Sequence, residues 1–229
     1  MSSVKIAVSL KDKTSPKMLL EMKKSGVDIF ELRIDQFAST NPAYVLKEIS
    51  RFKKFPVLAT IRSQKEGGKW KGSETKRLAL YEAVIPKVKM IDIELSSKLI
   101  LKNIAKAAKK HKKTTIISYH NFKNTPTETQ LNRILRDGKA AGADIVKIAV
   151  MAKTHQDVQI LLDFTKKNAR KKIVVIAMGE KGMISRVLFP RFGSLVTYAS
   201  GTPADSAQSK MAPGQIYYKT MLKLLGRWK

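Results

Sequence analysis

Eight times along the chain a short apolar run of strand length is followed by an amphipathic helical pattern, at a spacing of roughly 25 to 30 residues. The runs are Lys5 to Leu10, Ile29 to Ile34, Val57 to Arg62, Met90 to Leu95, Thr114 to His120, Ile145 to Val150, Ile173 to Met178 and Leu195 to Ser200. Ser15-Pro16 and Asn41-Pro42 read as N-caps followed by proline at the first helical position, and Gly26 and Gly142 read as helix C-caps. Ser25 to Ile29 and Ala141 to Ile145 resemble each other half a chain apart, a weak half-barrel repeat. Eight βα units in 229 residues predict a single-domain α/β fold, a closed (β/α)8 TIM barrel over residues 1–229, with no room for a second domain. The first strand is not followed by a Gly-x-Gly-x-x-Gly turn, which removes the dinucleotide-binding alternative.

In such a barrel one face of each strand meets helices and the other points to the axis, so both should be apolar. One parity here is not. Glu31, Arg33 and Asp35 alternate with Phe30, Leu32 and Ile34; Thr60 and Arg62 alternate with Ala59 and Ile61; Asp92 and Glu94 alternate with Ile91 and Ile93. Ser118 and His120 share a parity on the fifth run, and Lys147 follows on the sixth. Charge therefore converges on the axis in the C-terminal halves of neighbouring strands, where barrel enzymes place catalysis.

Lys147 stands alone in Asp144-Ile145-Val146-Lys147-Ile148-Ala149-Val150-Met151. Burial disfavours an ammonium, and a neutral amine in a pocket can attack a ketone. The plainer reading is a lysine that snorkels to water or to a carboxylate. His120, plain on its own as a packed core histidine, becomes a candidate base beside Lys147. Asp92, Glu94 and Asp35 are expected to form structural ion pairs with axial cations such as Arg33. After the third run, Glu66-Gly67-Gly68 allows a tight turn or a close approach to a ligand. After the seventh, Arg186 offers a planar fork suited to a carboxylate. The eighth run lacks a glycine-rich phosphate loop, which disfavours a sugar phosphate and the phosphate-binding aldolase type of lysine barrel. Residues 201–215, small and polar, read as a mobile lid.

Composition narrows the partners. Forty-five Lys plus Arg against 18 Asp plus Glu give +27, which invites nucleic acid. The lysines instead fall on helix faces, densest over Lys106 to Lys113, without interleaved aromatics or a DNA-binding motif, so a solvated basic face is expected and no specific nucleic acid. Three scattered histidines and no cysteine leave no metal spacing, and no cofactor is expected. His111 and His155 read as surface residues. Without a signal-peptide pattern or a membrane-length apolar run, a cytoplasmic protein is expected. The residues are silent on oligomeric state; a homodimer is the working expectation.

These motifs together resemble the type I 3-dehydroquinate dehydratases: Glu31-Leu32-Arg33, Arg62 with Glu66-Gly67-Gly68, Ser118-Tyr119-His120, Lys147-Ile148-Ala149, Gly182 with Ser185-Arg186, and Ala212-Pro213-Gly214-Gln215. The resemblance spans nearly the whole chain and rests on order and joint presence, since no single motif is specific. It implies a cofactor-independent lyase of the shikimate pathway acting on 3-dehydroquinate. Lys147 is implied as the Schiff-base nucleophile, His120 as general acid and base, and Glu66 as the histidine's partner. Glu31, Arg33 and Arg62 are implied to hold ring hydroxyls, Arg186 and Gln215 the carboxylate, and Met178 and Tyr198 to form pocket walls. Many members carry serine or threonine where this chain has Met211, and the lid is several residues longer, departures that leave Lys147 and His120 untouched.

Overall fold

The computed structural model describes residues 4–202 and 213–226. Its elements run β1 Lys5–Leu10, α1 Pro16–Lys24, β2 Ile29–Arg33, α2 Pro42–Ser50, β3 Val57–Thr60, α3 Glu74–Val84, β4 Met90–Glu94, α4 Lys98–Lys110 and β5 Thr114–Asn121. They continue α5 Glu128–Ala140, β6 Ile145–Met151, α6 His155–Lys167, β7 Ile173–Met178, α7 Ser185–Leu188, β8 Val196–Ser200, β9 Ile216–Tyr217 and α8 Tyr218–Leu224. All pairings are parallel, in the order β7-β6-β5-β4-β3-β2-β1-β8-β9. The curled sheet is drawn together where β7 and β8 begin: Ile173 bridges Ser194, and the Leu195 amide donates to the Ile173 carbonyl at 2.9 Å. The architecture is the TIM-barrel-like α/β fold expected, with each long strand falling where its apolar run does.

Six strand boundaries shift by a residue or two and one short strand is added, and three of these differences bear on the site. β2 ends at Arg33, and Ile34–Gln36 turns as a 3-10 helix that carries Asp35 off the strand. β3 ends at Thr60, so Arg62 sits just beyond it. The two-residue β9, packed on β8, follows the proposed lid and is too short to leave a periodic signal. Most of that lid, 203–212 with Met211 and Ala212, lies outside the described residues.

Local chemistry explains the helix starts. Ser15 Oγ accepts from the Met18 amide and Asn41 Oδ1 from the Ala43 amide, each ahead of a proline at the first helical position. The weak repeat is structural as well. Gly26 and Gly142 take φ of 106° and 93°, and the aspartate two residues on ties down a neighbouring strand in both halves. Asp28 accepts from the Ile6 amide and Asp144 from the Thr115 amide, each at 2.8 Å.

Two apolar layers hold the barrel. Phe30, Leu32, Val57, Ile91, Ile93, Val146 and Ile148 face the helices; Ile29, Leu58, Ile116, Val174 and Val196 fill the lower axis. Each fully buried side chain of this size contributes on the order of 1.5–3 kcal/mol. Gly138, in the last turn of α5, lets that helix lie on β6: a Cβ there would meet Val146 Cγ2 at 2.9 Å, so the chain forgoes helix propensity to seat the strand that carries Lys147.

Candidate active site

Above the apolar layer the axis turns polar. Lys147 Nζ lies 3.1 Å from Asp92 Oδ2, and Asp92 Oδ1 accepts from Arg62 Nη2 at 2.7 Å and from Ser118 Oγ at 2.6 Å. Arg62 also reaches Glu94 at 3.4 Å, and Glu94 meets Arg77, a fully buried guanidinium on α3 that donates to the Ile61 carbonyl at 2.9 Å. Signs thus alternate from Arg77 through Glu94, Arg62 and Asp92 to Lys147, and each buried charge has an opposite neighbour, as desolvated charges require. Burial opposes ionisation of Asp92, yet Arg62 and Lys147 hold its carboxyl well below the usual range.

Asp92 and Glu94 form the buried ion pairs expected of them, with Arg62, Lys147 and Arg77 as the cations. Asp35 pairs with Arg33, whose Nε lies at 3.0 Å and Nη2 at 2.9 Å from the carboxylate. Lys147 meets the Tyr198 ring besides Asp92, with the ring centroid 4.2 Å from Nζ. Arg77 was missed because one arginine within an amphipathic helical pattern carries no signal of burial.

His120, at the end of β5, is oriented by Glu66 from the 3-10 turn Gln64–Glu66 after β3. Glu66 Oε2 accepts from the His120 amide at 2.9 Å and lies 2.9 Å from Nδ1, while Ser96 donates to Oε1. Placing the ring proton on Nδ1 leaves Nε2 as the free base nitrogen. Burial, with Arg62 and Lys147 nearby, holds His120 well below the usual imidazole range, so it is neutral at pH 7. Burial pushes Glu66 up to about 7 against the pull of Ser96 and Arg62. Phe122 stacks on His120 with 6.5 Å between centroids and 17° between planes. Gly67, at φ 77°, makes room for it, since a Cβ would meet the Phe122 ring at 2.5 Å.

Arg186 projects from α7, which packs on β7 through Ser185 and the close approach of Gly182, whose Cβ would meet the Ala177 carbonyl at 2.5 Å. Its guanidinium is buried and, among the described residues, donates to carbonyls: Gly214 at 2.6 Å, Pro213 at 3.0 Å and Tyr198 at 3.2 Å. Burial brings it down to about 10, and no described carboxylate compensates it. Gln215 donates Nε2 to the Ala199 carbonyl at 3.0 Å and to Ser9 Oγ at 3.2 Å, leaving Oε1 buried without a partner. Glu31 accepts from Ser9 and Thr60.

Glu31, Arg33, Arg62, Glu66, His120 and Lys147 line one cavity together with Met178, Arg186, Tyr198 and Gln215, so the residues given a catalytic or substrate-binding role from the sequence meet there, while Asp35, Asp92 and Glu94 do not line it. Ser9, Phe122, Ala149 and Ile176 line it too and were missed; only the axial parity of Ala149 and Ile176 hinted at them. The Tyr198 hydroxyl is buried with no partner, and burial beside Glu31 and Asp92 pushes it well above the usual phenol range. Tyr198→Phe, which keeps the ring over Lys147, is expected to raise stability by about 1 kcal/mol in urea titrations by removing an orphan donor; a loss of that size would show that the hydroxyl is satisfied in solution.

A parallel barrel that gathers a lysine, a histidine, carboxylates and a spare arginine at the C-terminal ends of its strands is a barrel enzyme for a small anionic substrate. Comparison with known proteins gives the family. The type I 3-dehydroquinase family matches residues 6–227. The 3-dehydroquinate dehydratase of Thermodesulfovibrio yellowstonii is 41% identical over 221 residues, 96% of this chain and 93% of that protein. The crystal structure of the enzyme from Aquifex aeolicus superposes with a TM-score of 0.86 at 37% identity, covering 96% of this chain and 97% of that one. A type I enzyme from Clostridium difficile, in a structure with covalently modified comenic acid, gives 0.87 at 29% identity over 99% and 92%. The chain belongs to the type I 3-dehydroquinases. Among its described residues no helix is long and apolar enough to cross a membrane.

Proposed function

We propose that this chain dehydrates 3-dehydroquinate to 3-dehydroshikimate by syn elimination through a lysine Schiff base, with the residue roles that its own geometry supports. The observation that carries the assignment is one cavity holding the Lys147 amine, a neutral His120 and the uncompensated Arg186. Arg186 takes the substrate carboxylate, which supplies a counter-charge that no described carboxylate provides. The Lys147 nitrogen, as the free amine, adds to the ring ketone; the resulting carbinolamine takes up one proton from water, its hydroxyl leaves as water, and the iminium so formed faces the Asp92 carboxylate, 3.1 Å from Nζ. His120 Nε2 removes the proton from the adjacent carbon, the iminium takes up the electron pair as an enamine, and the same nitrogen returns the proton to the departing hydroxyl. Water then hydrolyses the iminium and frees Lys147.

Glu66 holds the imidazole by Nδ1. Glu31, Arg33 and Arg62 face the ring hydroxyls, and Glu31 retains lone pairs beyond those used by Ser9 and Thr60. Met178 and the Tyr198 ring form the walls. Gln215 has its Nε2 committed to Ala199 and Ser9 and its Oε1 buried, so a role on the carboxylate requires its amide to be freed. Residues 201–215 are proposed as a lid. The cysteine-free chain suits a reducing cytoplasm, and a homodimer is the proposed state, read by sedimentation.

Incubation with 3-dehydroquinate and borohydride, followed by intact mass and peptide mapping, tests the reading. One reduced adduct on Lys147 is expected. An active protein that yields no adduct, or an adduct mapped to another lysine, would overturn it.

A further inference from the structure

Between Glu94 and Glu128 the chain has no acidic residue and eight lysines, and the proposed chemistry uses none of them. The fold gathers most of these at the end of the barrel opposite the active site. There, where β5, β6 and β7 begin, a groove of about 1160 Å³ runs along α4 and the C-terminal end of α5. Lys98, Lys102, Lys106 and Lys109 of α4 line one wall, with Lys113 and Lys172 further round. The floor is apolar: Leu101, Ala105, Ala141, Ile145 and Leu195. Most of these floor residues are only half buried, so apolar surface faces solvent between rows of ammonium groups.

Among the described residues the charge in this groove is largely uncompensated. Lysines three or four residues apart on a helix stand in one row, and each like-charged pair costs α4 about 0.2–0.5 kcal/mol. Lysine ion pairs among the described residues occur elsewhere, at Lys147, Lys166, Lys167 and Lys219. Asp144, whose Oδ2 accepts from the Thr115 amide, is a single carboxylate against seven lining lysines. Lys112 and Lys172, both lining residues, have φ of 54° and 52°, left-handed positions where glycine would be less strained. Beside them, burial and Lys172 push the Lys139 ammonium below its usual range.

We propose that this groove docks an acidic amphipathic helix of a partner protein. Three features select that occupant. Glutamates at three- and four-residue spacing on a helix repeat at the same step as the α4 lysines. The apolar floor suits an apolar stripe, which a phosphate backbone does not offer. A second copy of this chain would bring its own lysine row against this one. α4, thirteen residues long, presents about 20 Å of wall, enough for three to four turns of a docked helix.

The test uses the whole protein and a fluorescent helical peptide of about 18 residues with a leucine stripe flanked by glutamates, read by anisotropy at physiological salt. Polyglutamate of equal charge and a single-stranded RNA oligomer are the competitors. The peptide is expected to bind at least about tenfold more tightly than either competitor. Lys102→Glu with Lys106→Glu is expected to weaken it about tenfold, and the neutral Ala105→Gln about threefold, with dehydratase turnover unchanged as proof of fold. Equal binding of polyglutamate would reduce the groove to counterion release and overturn the proposal. Tighter RNA binding, or indifference of the peptide to these substitutions, would overturn it as well. So would a dimer in sedimentation that the double lysine substitution dissociates, because the occupant would then be a second copy.

Discussion

Replacing Lys147 with alanine is expected to lower kcat by at least about four orders of magnitude, some 5 kcal/mol of lost transition-state stabilisation, and to abolish the borohydride adduct. The size follows from what the amine supplies. Without it no iminium forms, and the proton His120 must remove is merely alpha to a ketone. The substitution also takes one cation from Asp92, but Arg62 at 2.7 Å and Ser118 at 2.6 Å remain, so that carboxylate is not left bare. The variant should therefore fold, at a cost below the 3–5 kcal/mol of a fully orphaned buried charge. Circular dichroism and urea titration separate the two effects. A folded variant with turnover near normal would show that Lys147 is a structural partner of Asp92 and nothing more.

That outcome turns on a pairing the sequence could not specify. Alternation along β2, β4, β5 and β6 was legible, because a two-residue period assigns each side chain to a face whatever the register. It placed Glu31, Asp92, His120 and Lys147 on the axis correctly. Which acid meets which cation depends on the shear of the barrel and on where each strand stops, and neither is written locally. Arg33 illustrates the point: ion pairs of Asp35, Asp92 and Glu94 with axial cations were readable, but that Arg33 goes to Asp35 and leaves the other two to Arg62, Lys147 and Arg77 follows from β2 ending at Arg33 and the next turn swinging Asp35 beside it. The N-caps at Ser15 and Asn41 and the paired aspartates of the half-barrel repeat were readable because each acts within a few residues or recurs. Phe122 on His120 and Ser96 on Glu66 join loops from different βα units, so nothing near them in the chain announces the contact.

His120→Ala should separate the two halves of the reaction. Iminium formation needs the amine and the Arg186 anchor, so the reduced adduct on Lys147 is expected to persist, while dehydration falls about a thousandfold, within the range for loss of a positioned acid-base group. Loss of the adduct instead would mean that His120 serves the amine. The pH dependence carries a second signature. Since burial and the cations Arg62 and Lys147 hold His120 below its ordinary value of 6.5, the unfolded chain binds a proton there that the folded chain refuses. Stability from this group is complete above about pH 6.5 and is lost as pH falls toward the depressed folded value. Glu66 has the opposite sign. Pushed up to about 7, its stabilising contribution is full below about pH 4.5 and disappears as pH rises through 7, where the ionised carboxylate then fixes the Nδ1 proton of the imidazole. The wild-type kcat is thus expected to climb through pH 7 as Glu66 ionises, while His120→Ala, lacking the ring that Glu66 orients, shows a flat residual rate and less acid destabilisation below pH 6.5. A residual rate that still climbs through pH 7 would assign that ionisation to another group and detach Glu66 from the histidine's function.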